Sequence, residues 1–472
     1  MNVYLLGIGG TGMSALAGLF SNSGHRVCGS DNKLYPPVDK LLAEMNLKVD
    51  LGYRSSDLPR DTDLFVIGNV ISRGNPQLEY ILDNDLEYTT MAAALGDYFI
   101  RGRKSVVIAG THGKTTCSAF ASHLFNLAGL DPGFFIGGKP IDFPANFRPA
   151  RGEFFITEGD EYETAFCDRS AKFLKYRPRY LLIPALEYDH ADFYPDEQLY
   201  LQAFRNLVNL VPASGLIVIN SDDEMARAAV SNALAPVLKV SLEKGDYLLE
   251  DQKNDCRENF FILGRQGFKQ KLSTCLPGIY NARNLAIVIA LADHLGIAPR
   301  TVAEACRGFQ GVERRFQHLR SIGAVDFYED FAHHPTALAL ALEVARQGDP
   351  EKKLLAVFEP GSGSLKRKVF QQRLAPALAQ ADSIIIKRPA GLERIPVGQR
   401  LDLEKLAVEI RELGREVLLC DEYQEVRAVL ASLDFRQPTR LLILSNGSFG
   451  GLPAFVREEL QPEKKTAAAD SF

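Results

Sequence analysis

"VVIAGTHGKTTCSAFASHLFNLAG", Val106–Gly129, reads as an apolar strand, a glycine turn carrying one lysine, and a helix. A glycine-rich bend at a helix N-terminus points unsatisfied backbone N–H groups, with the positive end of the helix dipole, at an anion. Lys114 adds a charge where the terminal phosphates of a nucleotide would lie, and the Thr115 hydroxyl suits a Mg²⁺ ion bridging them. The pattern G-x-x-x-x-G-K-[ST] is missed at one position, because Ile108 stands where its first glycine belongs. A bare Gly-Lys-Thr also starts ordinary helices. The strand before it and the long helix after it favour phosphate binding.

The same strand–helix rhythm fills the chain and divides it into three. Residues 1–99 carry "VYLLGI", "RVCGSD" and "DLFVIGN" between helical segments such as "VDKLLAEMN" and "NPQLEYILDN". That order predicts a parallel, doubly wound sheet. Residues 100–316 place "EFFITEGD", "RYLLIPALEYDH" and "GLIVINSDD" around the phosphate turn. Residues 317–460 repeat the alternation with "VDFYEDFAHHP", "LLAVFEPGSG", "SIIIKRP", "EVLLCDE" and "RLLILSNGS". Residues 461–472, "QPEKKTAAADSF", are polar and small and read as a fraying tail.

Composition bounds the function. A chain of 472 residues predicts about three domains, and its 46% hydrophobic content suffices for several cores. The net charge of −5 carries no basic excess, which argues against a nucleic-acid partner. Seven scattered cysteines without a C-x-x-C pair read as buried thiols in a reducing compartment. The first residues lack a basic n-region, and no apolar run approaches the ~18 residues of a membrane span. The expected location is the cytoplasm, without membrane insertion.

A second glycine turn opens the chain. Gly7, Gly9, Gly10 and Gly12 in "LLGIGGTGMSALA" fit a pyrophosphate-binding strand–turn–helix. Asp31 follows about 20 residues on, where an acid suits a ribose hydroxyl. The dinucleotide fingerprint has the same form, so an NAD-dependent oxidoreductase stays open on this motif. "EFFITEGDEYE" ends a strand at Glu158, and "LLIPALEYDHADFY" ends another with Glu187, Asp189, His190 and Asp192. Acids and an imidazole beside a phosphate turn suit Mg²⁺, which takes a few protein ligands plus substrate oxygens; Glu158 and His190 are the expected ligands. "PGIYNARNLAIVIALA" puts Asn281 and Asn284 at a helix start, as N-cap or as readers of an adenine edge. Arg314 and Arg315 stand at the junction of the second and third stretches, where either suits a phosphate. Asp330 lies on a strand, and of the neighbouring His333 and His334 one is expected to serve the site and one to be structural.

Together these segments resemble the Mur ligases, the ATP-dependent amide ligases of peptidoglycan precursors, whose signature G-T-H-G-K-T-T stands at Gly110–Thr116. The resemblance covers nearly the whole chain and implies a Rossmann-like N-terminal domain, a P-loop-ATPase-like central domain and a Rossmann-like C-terminal domain. "GIGGTGMSALA" and "GSD" resemble the branch acting directly on UDP-N-acetylmuramate. Glu329–Pro335, "EDFAHHP", with its Phe-Ala pair, resembles the recycling members that take the murein tripeptide L-Ala-γ-D-Glu-meso-diaminopimelate rather than those that take L-alanine.

The resemblance also implies roles. Gly110, Thr111, His112, Gly113, Lys114, Thr115, Thr116, Asn281, Asn284, Arg315 and Asp330 would surround ATP. Gly7, Gly9, Gly10, Gly12, Ser30, Asp31, Arg73 and Asn75 would hold the UDP-sugar. Thr115, Glu158 and His190 would ligate Mg²⁺, and Lys114, Asp189, His190, Arg315 and His333 would form the catalytic set. Two departures stand out. Several family members bridge metals with a carbamylated lysine, yet no lysine occurs here between Lys175 and Lys239. Relatives carry an arginine where "FEPGSGSLKRK" has Gly361, leaving Lys366 or Arg367 as the expected substitute.

Overall fold

The structure is a computed structural model that describes residues 1–190, 193–254, 259–265, 268–347 and 349–461. Asp192, Cys256 and the tail beyond Gln461 lie outside them. Three sheets carry the fold. The first has five strands, ordered Lys48–Leu51, Arg26–Asp31, Asn2–Leu6, Leu64–Ile67 and Tyr88–Thr90, all parallel. Its central strand leads through the first glycine turn into the helix Thr11–Asn22. Outward reversal of strand order from a central strand opens a crevice at the strands' C-terminal ends.

The second sheet has ten strands. At its centre lie the parallel strands Leu216–Asn220, Tyr180–Ile183, Lys104–Ala109 and Phe154–Gly159, buried along their length except at Lys104. Continuous apolar runs suit strands covered on both faces. The helices Lys114–Leu127 and Ile279–His294 cover one face, and Glu197–Val208 lies over the other. Beyond Val237–Ser241 the sheet continues through Tyr247–Asn254, Asn259–Arg265 and Phe268–Thr274, the last two added antiparallel. This extension is an addition to the parallel sheet read from the sequence.

The third sheet orders six strands as Gln317–Ile322, Val325–Asp330, Thr439–Leu444, Lys353–Phe358, Ser383–Lys387 and Glu416–Cys420. Only the first of them runs antiparallel. Its two faces have cores of their own. The first and second sheets instead share one core, in which Leu16 and Phe20 join Val107, Phe155, Ile183 and Tyr200. Gly18 makes that junction: a Cβ there would stand 2.0 Å from the Phe147 ring, so only glycine lets the ring seat on this helix.

Candidate active site

The strand Lys104–Ala109 ends at Gly110, and the helix Lys114–Leu127 begins after Gly113. Gly110 (φ +147°) and Gly113 (φ +84°) take backbone conformations that side chains resist. A Cβ on Gly110 would meet the Ala185 carbonyl at 2.4 Å, and one on Gly113 the Asn284 Oδ1 at 2.4 Å. The turn is thereby clamped between the loop after strand Tyr180–Ile183 and the helix Ile279–His294. Thr111 Oγ1 donates to the Glu187 carbonyl (2.6 Å), and the Glu187 N–H donates back to that hydroxyl (2.8 Å). Thr116 is buried in the helix's first turn.

Lys114 is turned inward. Its Nζ donates to Glu161 Oε2 at 3.0 Å and to the Gly110 carbonyl. His190 Nε2 lies 2.9 Å from Glu161 Oε1, so one carboxylate holds both cation-forming groups. Burial alone would raise the Glu161 carboxyl, but Lys114 and His190 outweigh it and bring it down to about 2. Burial likewise works against the Lys114 charge, and Glu161 with Asp160 more than restores it, leaving its pKa above the ordinary value. His190 follows the same pattern: burial lowers it, Glu161 raises it further. It sits at φ +57°, its ring 4.1 Å from that of Tyr162, and its N–H donates to Asp189 Oδ1 (2.7 Å).

Glu158 accepts from Thr115 Oγ1 (3.1 Å) and from the Gly137 N–H (2.7 Å). Burial, with Asp160 beside it, pushes its carboxyl up to about 6. A hydroxyl and a carboxylate side by side at a phosphate turn form an oxygen donor set suited to a hard cation such as Mg²⁺. His190 approaches Glu161 rather than Glu158.

The junction arginines divide their work. Arg314 Nε donates to Glu329 Oε1 (2.6 Å), and its Nη2 to the carbonyls of Ser445 (2.9 Å) and Gly447, which ties it to the third sheet. Arg315 instead reaches Thr115 Oγ1 (3.4 Å), while both guanidiniums lie over the Phe331 ring (5.0 Å each). Asp330 is buried, which raises its carboxyl, and its two oxygens accept from the Phe316 and Ala332 N–H groups (2.7 Å each). It braces the junction that aims Arg315. His333 donates Nδ1–H to the Phe331 carbonyl (3.0 Å), leaving Nε2 as the basic nitrogen; burial, with Arg315 nearby, lowers it to about 4. His334 turns the other way, onto Phe370 and His112.

Asn281 and Asn284 lie in the first turns of their helix, whose N-cap is Gly278 rather than either asparagine. Asn281 donates to the Pro277 carbonyl (2.7 Å), while Asn284 faces the phosphate turn. In the first domain, Gly7 (φ +82°), Gly9, Gly10 and Gly12 form the turn at the C-terminal end of the central strand. Asp31 Oδ2 accepts from the Gly9 N–H (2.8 Å) and Oδ1 from Tyr53 and Asn32, so its carboxylate pins the turn. Ser30 is fully buried and donates to Gln77 Oε1 (2.6 Å). Asn75 caps the helix Pro76–Asp83, and the exposed Arg73 pairs with Glu79 (2.9 Å).

Two participants were not singled out in the sequence. Glu161 lies two residues beyond the strand Phe154–Gly159, and nothing in its spacing distinguishes it from its acidic neighbours. Arg373, on the helix Gln371–Leu378, pairs with Glu187 Oε1 across the boundary between the second and third domains. Beside that pair a cleft of about 680 Å³ opens, lined by Leu186, Glu187, Tyr188, Glu197, Phe370 and Arg373 among others. At Gly361 a Cβ would stand 2.4 Å from Asn446 Oδ1. Arg367 is engaged with Gln399 (2.8 Å), and Lys366 is half-buried.

Comparison with known proteins identifies the family. Family models match as "Mur ligase family, catalytic domain" over residues 2–103, "Mur ligase middle domain" over 108–292 and "Mur ligase, glutamate ligase domain" over 314–447. The chain is 34% identical to the UDP-N-acetylmuramate–L-alanyl-γ-D-glutamyl-meso-2,6-diaminoheptandioate ligase of Escherichia coli K12, across 96% of each chain. It is 30% identical to the UDP-N-acetylmuramate–L-alanine ligase of Halorhodospira halophila, across 96% of this chain and 92% of that one. Among solved structures it resembles a murein peptide ligase from Psychrobacter arcticus, with a TM-score of 0.74 and 27% identity over 96% and 97% of the two chains. The chain belongs to the Mur ligase family.

Proposed function

We propose that this chain is an ATP-dependent ligase that joins the lactyl carboxylate of UDP-N-acetylmuramate to the amine of L-alanyl-γ-D-glutamyl-meso-diaminopimelate, in peptidoglycan recycling. Residues 1–99 bind the UDP-sugar, residues 100–316 bind ATP, and residues 317–460 present the peptide. The observation that carries this reading is the convergence of Lys114, Thr115, Glu158 and Arg315 on one glycine turn. A dinucleotide oxidoreductase has no use for that set.

The reaction runs in two displacements. The lactyl carboxylate attacks the γ-phosphorus of ATP and gives an acyl phosphate with release of ADP. The peptide α-amine then attacks the acyl carbon, inorganic phosphate leaves, and the amide forms with loss of one proton. Such transfers depend on position and charge more than on covalent help from the protein. Backbone N–H groups of Gly110–Thr116 cradle the phosphates, and Lys114 leaves Glu161 to reach their terminal oxygens. Thr115, Glu158 and His190 would hold Mg²⁺, which when bound neutralises phosphate charge. Arg315 meets the transferring group from the junction. Asn281 and Asn284 border the adenine side, and Asp330 sits beside the ribose as well as bracing Arg315. His333, neutral at pH 7, offers Nε2 to the proton leaving the amine, with Asp189 nearby. In the first domain the backbone of Gly7, Gly9, Gly10 and Gly12 receives the diphosphate, with Arg73 and Asn75 at the edge.

A phosphate-release assay across L-alanine, dipeptide and tripeptide acceptors tests the assignment. Release is expected only with ATP, UDP-N-acetylmuramate and tripeptide together, and to vanish in Lys114→Ala while the UDP-sugar still binds. The 30% identity to an L-alanine ligase makes free L-alanine the decisive competitor. Turnover with L-alanine exceeding that with tripeptide overturns the acceptor.

A further inference from the structure

One cluster of ligating side chains shares only His112 with the set assigned to ATP and Mg²⁺. His112 Nε2 and His334 Nδ1 approach the same oxygen of Glu187, Oε2, at 3.1 and 3.5 Å. One ligand atom from each of the three residues lies within 4.8 Å of the other two. From this geometry we propose that His112, Glu187 and His334 form a site for a borderline transition cation such as Zn²⁺, clasping the third domain to the phosphate turn.

The donor set selects the ion. Two imidazoles and one carboxylate are the ligands Zn²⁺ and Co²⁺ accept in low coordination, whereas Mg²⁺ prefers a shell made mostly of oxygens. His334 supplies the second reason. It is 2% exposed, and among the described residues its Nε2 is buried without a hydrogen-bond partner. Its Nδ1 lies 3.3 Å from the Thr336 nitrogen, whose N–H it accepts, and 3.5 Å from Glu187 Oε2, so the proton falls on Nε2 and a cation at the site would take the Nδ1 lone pair in place of that long hydrogen bond.

Arg373 shapes the site without closing it. Its guanidinium takes Glu187 Oε1 and Thr336 Oγ1 (3.0 Å), which fixes the carboxylate and leaves Oε2 to the imidazoles. Its charge also weakens the pull of Glu187 on any cation, so affinity must come from nitrogen, which again favours Zn²⁺ over Mg²⁺. His112 lies in the phosphate turn and Glu187 follows a strand of the second sheet, while His334 precedes the helix Pro335–Gln347 of the third domain. An ion held by all three fixes the domains to each other.

Chelator-treated full-length protein in saturating Mg²⁺, titrated with Co²⁺, reads the site directly. The expected result is one equivalent of Co²⁺ with the visible absorption of a low-coordinate nitrogen–oxygen site. His190→Ala keeps it, and His334→Gln weakens it about a hundredfold or more. Glu187→Gln gives the same weakening and serves if His334→Gln fails to fold. Absence of the band in the wild type, its loss in His190→Ala, or a thiolate-to-cobalt band from the exposed Cys167 or Cys275 overturns the proposal.

Discussion

Burial and charge compete at Lys114, and Glu161 decides the outcome. The ammonium is withdrawn from water, which disfavours its charge, yet Glu161 at 3.0 Å keeps it ionised and aimed along the phosphate turn. Removing one partner of a buried pair leaves the other uncompensated, at a cost of about 3–5 kcal/mol. Glu161→Gln should therefore lower stability by about that amount in urea melts. It should also cut kcat by roughly 10²–10³, as loss of a preorganised charge does, while UDP-sugar binding holds. Unchanged melts and kcat would remove Glu161 from the site. His333 gives the pH dependence. Although its side chain is only half-buried, its folded pKa is lowered from 6.5 to about 4. The unfolded chain thus binds the proton first, so this histidine withdraws stability as pH falls from about 6.5 toward 4. His333→Asn should flatten the loss of melting temperature across that window; an unaltered slope excludes this origin. At this scale the sequence was only partly readable. Lys114, Thr115 and Glu158 are local to one turn and one strand end. Ser30 looks like a ligand contact until Gln77, 47 residues on, takes its hydroxyl.

The phosphate turn was legible as an element because strand, glycine and helix each follow from composition alone. Gly113 shows how little freedom it has. It stands at φ +84° as the N-cap, with Asn284 Oδ1 where a Cβ would project. Gly113→Ala meets a left-handed strain of about 1–2 kcal/mol and displaces Asn284 as well. The KM for ATP should rise at least about tenfold, with UDP-sugar affinity intact. A KM within twofold of the wild type would mean that the turn does not grip the nucleotide. Less legible was the antiparallel end of the second sheet. Asn259–Arg265 alternates buried and half-buried residues as far as Leu263, and Tyr247–Asn254 passes from apolar to wholly polar. One-sided strands of this kind lack the continuous apolar run that marks a strand covered on both faces. Likewise the sequence could not choose between Arg314 and Arg315, since the choice depends on Glu329 and two carbonyls more than a hundred residues away taking Arg314.

The whole molecule is joined unevenly. The first and second domains share one apolar core through Phe147 seated on Gly18, so they move together. The third domain meets the second mainly through polar contacts: Arg373 with Glu187, His334 with Glu187, and Arg315 with Thr115 from the junction, with Tyr280 as an aromatic bearing against the third core. Polar interfaces between domains are the ones that open. On the proposed assignment of the UDP-sugar, ATP and peptide to separate domains, the reaction proceeds only when this interface shuts, and product leaves only when it parts. Arg373→Ala removes a charged pair across that boundary and leaves Glu187 without its guanidinium. The radius of gyration from small-angle scattering should increase in the variant free of ligand. Saturating ATP analogue plus UDP-N-acetylmuramate should contract the wild type and recover most of the difference in the variant. The KM for the peptide should rise more than kcat falls, because on the proposed function the third domain presents the peptide while the phosphate turn is untouched. Identical scattering in both proteins, with and without ligands, would show the three domains to be one rigid body and transfer the task of excluding water to the cleft beside Arg373.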